Sequence, residues 1–152
     1  NIINVELKEA SILDLYSGVG SFGIECISRY AKKTTFVEND NKALSVLKKN
    51  IEHLKIEKKS KIYETKIFSF LNHVNSDHKY EVIFLDPPFS ENYFIEELKK
   101  IKESKICKKK HVIIIHREIK SKDDLTGIIN IIETKKYGRS KIIFGNFNLN
   151  IA

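Results

Sequence analysis

Disulfide frameworks and cysteine-ligated metals are the first things this sequence leaves no room for. Its two cysteines, Cys26 and Cys107, lie far apart and fall in no metal-ligand spacing. They read as reduced thiols of a cytosolic protein, and no metal site is expected. Proline is as scarce, since the only two, Pro87 and Pro88, are adjacent. No apolar run approaches the length of a membrane span, and the amino terminus carries no signal-peptide pattern. A cytoplasmic location without membrane association is therefore expected. Arginine occurs only at 29, 117 and 139, so lysine supplies nearly all the positive charge.

What is present is a globular composition. A chain of 152 residues, 41% hydrophobic and 31% charged, suits one domain with a sizeable core, covering residues 1–152. The net charge of +7 and pI near 9.3 point to a polyanionic partner, most simply nucleic acid. A Lys-rich usage that runs through the whole chain weakens that inference. A monomer is favoured.

Strand and helix patterns alternate along the chain. Strands are expected at Ser11–Tyr16, Thr34–Glu38, Lys61–Thr65, Val82–Leu85 and His111–His116. Between them, helices are expected at about Ser21–Lys32, Asn41–Leu54, Ser69–Asn75 and Asn92–Ser104. The second helix has Leu44, Leu47, Ile51 and Leu54 at helical spacing. Ile128–Lys136 and Lys141–Phe147 then read as a hairpin, turning at Gly138 where a positive φ is required. The fold class is α/β, a doubly wound, mostly parallel seven-stranded sheet closed by a C-terminal antiparallel hairpin, with the antiparallel strand at its edge.

Between the first strand and helix, Asp14-Leu15-Tyr16-Ser17-Gly18-Val19-Gly20-Ser21-Phe22-Gly23 contains a G-x-G-x-x-G pattern. Gly18 and Gly20 can turn the backbone sharply and approach a ligand, and Gly23 permits close helix–strand packing. Glu38, ending the second strand, is placed to accept hydrogen bonds from ribose hydroxyls. A dinucleotide would put its pyrophosphate at the helix amino terminus. S-adenosylmethionine has cationic ammonium and sulfonium centres instead, which Asp14 and Asp86 would favour. Asp14 could equally cap nearby backbone amides.

The stretch Tyr80–Phe94 carries the second motif. An apolar strand ends in Asp86, two prolines that cannot continue a sheet ladder, and Phe89. In an open parallel sheet that is the rim where ligands sit. Together DLYSGVGSFGIE (14–25), FVEND (36–40) and FLDPPF (84–89) resemble the class I S-adenosylmethionine-dependent methyltransferases. More narrowly they are similar to the bacterial RsmD-type family, which methylates the exocyclic amine of a guanine in small-subunit ribosomal RNA. The likeness runs from about Ser11 to Phe147.

The resemblance implies roles. Asp14, Tyr16, Ser17 and the Gly18–Gly20 loop would hold the methionine end of S-adenosylmethionine, and Glu38 the ribose. Asn39 would lie beside the adenine, with Ile67 and Phe68 sandwiching it. Asp86 and the Pro87 carbonyl would accept hydrogen bonds from the target amine, Pro88 would stiffen the corner, and Phe89 would stack on the extruded base. Ribosomal RNA or the small ribosomal subunit would be the partner. The chain departs from the family at Lys66, where many relatives carry Asp or Asn, and at His116, where an acidic residue is frequent. Relatives also carry an amino-terminal arm, whereas about ten residues precede the first strand here.

Two further readings stay open. Asp-Pro-Pro-Phe is shared with enzymes that methylate adenine amines in DNA, and a catalytically silent nucleotide- or RNA-binding module would keep the same fold. Lys99, Lys100, Lys102, Lys105 and Lys108–Lys110 form either a solvated helix face or a phosphate-contacting surface.

Overall fold

The computed structural model describes residues 5–90 and 93–149. One sheet contains β1 (Ser11–Leu15), β2 (Lys33–Glu38), β3 (Ser60–Glu64), β4 (Tyr80–Leu85), β5 (Cys107–Glu118), β6 (Asn130–Tyr137) and β7 (Ser140–Asn146). Its order is β3-β2-β1-β4-β5-β7-β6. The helices are α1 (Ser21–Ser28), α2 (Asn41–His53), α3 (Ile67–His73) and α4 (Tyr93–Glu103). Strands β1 to β5 pair in parallel, and β7 runs antiparallel to both β5 and β6.

The doubly wound sheet forms as the alternation predicts, with one correction. The antiparallel strand, β7, is not at the edge but second from it. Burial decides the order: β7 carries the buried Ile143 and Phe144, whereas β6 is exposed along most of its length and suits the open edge.

Both faces of the sheet are covered, which is why β1 and β4 read as continuous apolar runs. Ile12, Leu13, Leu15, Val82, Ile83 and Leu85 are all buried. Helices α3 and α4 pack one face through Ile67, Phe70, Phe94, Leu98 and Ile101. Helices α1 and α2 pack the other through Ile27, Leu44, Leu47 and Ile51. Asp40 caps α2 by accepting the Ala43 N–H at 2.9 Å.

Several boundaries differ from expectation for local reasons. Helix α1 stops at Ser28 because Tyr30 takes a left-handed φ of 72°. The Ala31 and Tyr30 amides then close back on the Cys26 and Ile27 carbonyls, each at 3.0 Å, an ending usually made with glycine. Strand β5 extends at both ends, taking Lys108–Lys110 into the sheet rather than leaving them in a loop. Helix α3 begins at Ile67, not Ser69, and Asn92, the expected first residue of α4, lies outside the described residues. Gly138 does adopt a positive φ, 56°.

Gly23 shows how tightly α1 sits on β2. A Cβ there would lie 2.5 Å from Phe36 Cε1 and 2.6 Å from Thr34 Cγ2. Gly23→Ala is therefore expected to destabilise the fold by about 1–3 kcal/mol through overpacking. Urea unfolding checks this, and a loss of only a few tenths would mean that the helix–strand contact is slack.

Candidate functional site

Strands β1, β2 and β3 step in one direction, and the chain then returns to lay β4 on the other side of β1. Connections leaving β1 and β4 diverge at their carboxyl ends, opening the crevice where ligands bind in such sheets. Leu15 pairs with Leu85 in register, so Tyr16 and Asp86 step out of the sheet side by side. Tyr16, at the head of the glycine loop, and Asp86 and Pro88 of the proline corner therefore line one groove of about 740 Å3. Its walls include Tyr16, Glu38, Asn39, Ile67, Phe68, Asp86 and Pro88 from the expected set, together with Thr65, Lys66, Ser69, Tyr93 and Glu97.

The remaining expected residues sit behind or beside the wall. The Ser17 hydroxyl and amide both donate to the Val37 carbonyl, at 3.0 and 3.1 Å. Glu38 accepts from the Gly18 amide at 2.7 Å and from the Asn39 and Asp40 amides at 3.1 and 3.0 Å. From α2, Asn50 donates to the Val19 carbonyl at 3.1 Å. The loop is thus fixed by β2 and α2 together. A Cβ on Gly18 would meet nothing within 4 Å, whereas one on Gly20 would strike Leu47 Cδ1 at 2.4 Å. Gly18 is the position open to a ligand; Gly20 faces the core and serves packing.

Asp14 is fully buried beneath the loop. Its Oδ2 accepts the Gly23 amide at 3.1 Å, but Oδ1 has no hydrogen-bond partner. Burial, and then the charges of Asp86 and Glu38, push its carboxyl up to about 8 against the stabilising Gly23 amide. A buried acceptor left unmatched is a place where a cationic donor fits.

Two residues of the site lay outside the motifs. Tyr16, in a left-handed φ of 58°, donates its hydroxyl to Glu97 Oε1 across the groove. Glu97 lies on the buried stripe of α4 with Phe94, Leu98 and Ile101, and a carboxylate on an apolar face was the available signal. Arg117 is buried on β5. It donates to Pro88 O at 3.1 Å and Phe89 O at 3.2 Å, and pairs with Asp123 at 2.9 Å. Its guanidinium lies 4.6 Å from the Phe94 ring centre. One of only three arginines, placed where an apolar strand ends, it could have been singled out.

His116 contacts the corner directly. Its Nδ1 lies 2.8 Å from Asp86 Oδ1, and its ring meets the half-exposed Phe89 edge-on at 5.6 Å. Lys66 precedes α3, makes no capping bond and borders the groove with its side chain exposed. Of the lysines between 99 and 110, those on β5 lie away from the groove. Cys107 pairs with Tyr80 at the amino end of β4, and Lys110 is six strand residues before His116, roughly 20 Å at 3.3 Å per residue. Lys99 and Lys108 are engaged with Glu96 and Glu81. Lys99 and Lys100 instead follow Glu97, a residue of the groove wall, on α4.

A family model described as "Conserved hypothetical protein 95" matches residues 1–146. The "Ribosomal RNA small subunit methyltransferase D" of Haemophilus influenzae is 32% identical over 113 residues, 74% of this chain and 58% of that protein. The chain thus spans a little over half the length of this relative. Among solved structures, a "putative methylase" from Haemophilus influenzae superposes with a TM-score of 0.82 at 27% identity, covering 93% of this chain and 89% of that one. Another, a "putative methyltransferase complexed with SAH", has a TM-score of 0.71 at 14% identity over 93% of this chain and 46% of its own, a likeness of fold.

Asp14 yields a pH prediction. Folded, it holds its proton to about pH 8, whereas in the unfolded chain it ionises near 3.8. Stability from this group is complete below pH 4 and is lost as pH rises towards 8, by up to about 1.4 kcal/mol per pH unit. Asp14→Asn, which keeps the Gly23 acceptor and cannot ionise, should flatten that fall. Thermal melts of both proteins from pH 4 to 8 check it: parallel curves would place the Asp14 proton elsewhere.

Proposed function

The chain belongs to the family described as conserved hypothetical protein 95, and from that membership we propose that it is an S-adenosylmethionine-dependent methyltransferase of ribosomal RNA. The finer reading is transfer to the exocyclic amine of a guanine in small-subunit RNA, in the cytoplasm. The observation that carries it is that Tyr16 and Glu38, which bracket and hold the glycine loop, share one groove with Asp86 and Pro88 of the corner.

The residues present fit the cofactor. Asp14 offers a buried acceptor without a partner, and Gly18 leaves open space beside the backbone. Glu38, already fixed by three amides, retains acceptor capacity for a ribose hydroxyl. When bound, S-adenosylmethionine supplies an electrophilic methyl on sulfur. An exocyclic amine is a weak nucleophile because its lone pair is delocalised into the ring. Acceptors at Asp86 and Pro87 would draw on its two hydrogens, favour the pyramidal geometry and stabilise the positive charge growing on nitrogen. Phe89, 42% exposed, supplies a face for a base that must leave its helix to reach the groove. In-line attack is then a matter of positioning.

Phosphate contacts suit the rim beyond Phe89. Glu118 pairs with Ser140, and the Ile119 amide donates to Arg139 O at 2.7 Å, so the β6–β7 turn sits beside the corner. Lys120, Lys122, Lys136 and Arg139 are exposed there, and none forms an ion pair among the described residues.

A DNA adenine amine is the second reading, because the same corner serves it. Labelled S-adenosylmethionine offered in parallel with ribosomal RNA, small subunits and DNA, followed by mass identification of the nucleoside, separates the two. N2-methylguanine in RNA is expected, and methyladenine in DNA would replace the reading. Asp86→Ala should abolish transfer in a folded protein. Glu38→Ala should weaken cofactor binding by about 1–3 kcal/mol, measured by calorimetry. Reversing Lys120, Lys122 and Arg139 should lower the salt slope of RNA binding by about 2–3, at 0.7–0.9 per phosphate contact; an unchanged slope would make them bystanders.

A further inference from the structure

Proline leaves the corner with a structural problem. Pro87 and Pro88 have no N–H, so the turn cannot be locked by backbone donors of its own. The donors come instead from two consecutive residues of β5. Successive side chains on a strand point to opposite faces. Arg117 lies over Phe94 on the α4 face, while His116 meets Asp86 and Phe89 from the other.

We propose that His116 and Arg117 are positioning residues that select which acceptors of the Asp86–Phe89 corner face the substrate amine, a proposal that rests on the methyltransferase reading above. Besides the Asp86 backbone carbonyl, which closes the strand, the corner offers five acceptor oxygens: two on the Asp86 carboxylate and the carbonyls of Pro87, Pro88 and Phe89. Arg117 takes the Pro88 and Phe89 carbonyls with separate guanidinium nitrogens, Nη1 at 3.1 Å and Nη2 at 3.2 Å. Asp123 holds the guanidinium in plane through Nε at 2.9 Å and Nη2 at 3.3 Å. The pair is almost wholly buried, with side chains 3% and 10% exposed, so the fork is fixed in one orientation. His116 Nδ1 takes Asp86 Oδ1 at 2.8 Å. Of these five, Asp86 Oδ2 and the Pro87 carbonyl are left, and neither has a hydrogen-bond partner among the described residues. An exocyclic amine has two hydrogens, and two acceptors remain to receive them.

The role is one of alignment, so the split between binding and turnover tests it. Removing Arg117 outright would strand a buried Asp123 carboxylate and could unfold the chain. Arg117→Lys keeps the charge and loses the fork, and Arg117→Met with Asp123→Asn removes both charges together. In each, cofactor affinity should hold within about twofold while kcat falls about tenfold to a hundredfold, the scale of a small misplacement. His116→Ala should lose kcat similarly, and His116→Asn, which retains a donor near the Nδ1 position, should recover most of it. The carbonyl-carbon chemical shifts of Pro88 and Phe89, the two groups the fork bonds, give a readout independent of activity. Both should move when the fork is lost, because a carbonyl that loses its donor is less polarised. Wild-type kcat in folded Arg117→Lys and His116→Ala would overturn the proposal. If the unsubstituted protein methylates no guanine amine, the functional reading fails instead. The chemical-shift arm then decides whether the fork holds the corner, and unchanged shifts would overturn that as well.

Discussion

Three carboxylates end three neighbouring strands. Asp14 belongs to β1, Glu38 to the end of β2, and Asp86 follows β4, and the register of the parallel pairs brings all three to one crevice. In a chain with a net charge of +7 this is a local concentration of the opposite sign, and like charges so placed cannot all be left ionised and unpaired. Each is accommodated differently. Glu38 is satisfied by three backbone amides, Asp86 by a histidine, and Asp14 by retaining its proton. The crevice thus gathers acceptor oxygens that the protein itself only partly satisfies.

The two halves of the groove are tied together across its floor. Tyr16 leaves β1 in a left-handed conformation that non-glycine residues seldom adopt. Its hydroxyl bonds Glu97 of α4, a buried acidic residue on a helix that begins only after the proline corner. The local backbone cost is sustained because the surrounding packing over-determines it. Loop, corner and α4 therefore keep their spacing.

Local signals in the sequence accounted for the strands, their order of appearance and the two motifs. Continuous apolar runs marked β1, β4 and β5, and the glycine spacing with Glu38 marked the loop. What escaped was whatever depends on contacts distant in sequence. Arg117 stands out at the end of an apolar strand, but the residues it acts on lie 28 and 29 positions before it, and no local pattern names them. Tyr30 ends α1 in a conformation whose usual marker is glycine. Gly20 reads like a ligand-approach glycine until Leu47, brought from α2, is seen to occupy the space its Cβ would need. Lysines at 108–110 looked like a loop because charge and strand propensity conflict; they lie within β5 where its register with β4 shifts between Tyr80 and Val82.

Asp14 has one thermodynamic consequence beyond stability. Its carboxyl holds a proton at neutral pH in a space without a second donor. A cation seated there would favour the ionised form, so occupancy of the crevice would expel a hydrogen ion. Capture of a positively charged ligand would then be a proton-exchange reaction. Its calorimetric heat would shift with the ionisation enthalpy of the buffer that takes up what Asp14 releases.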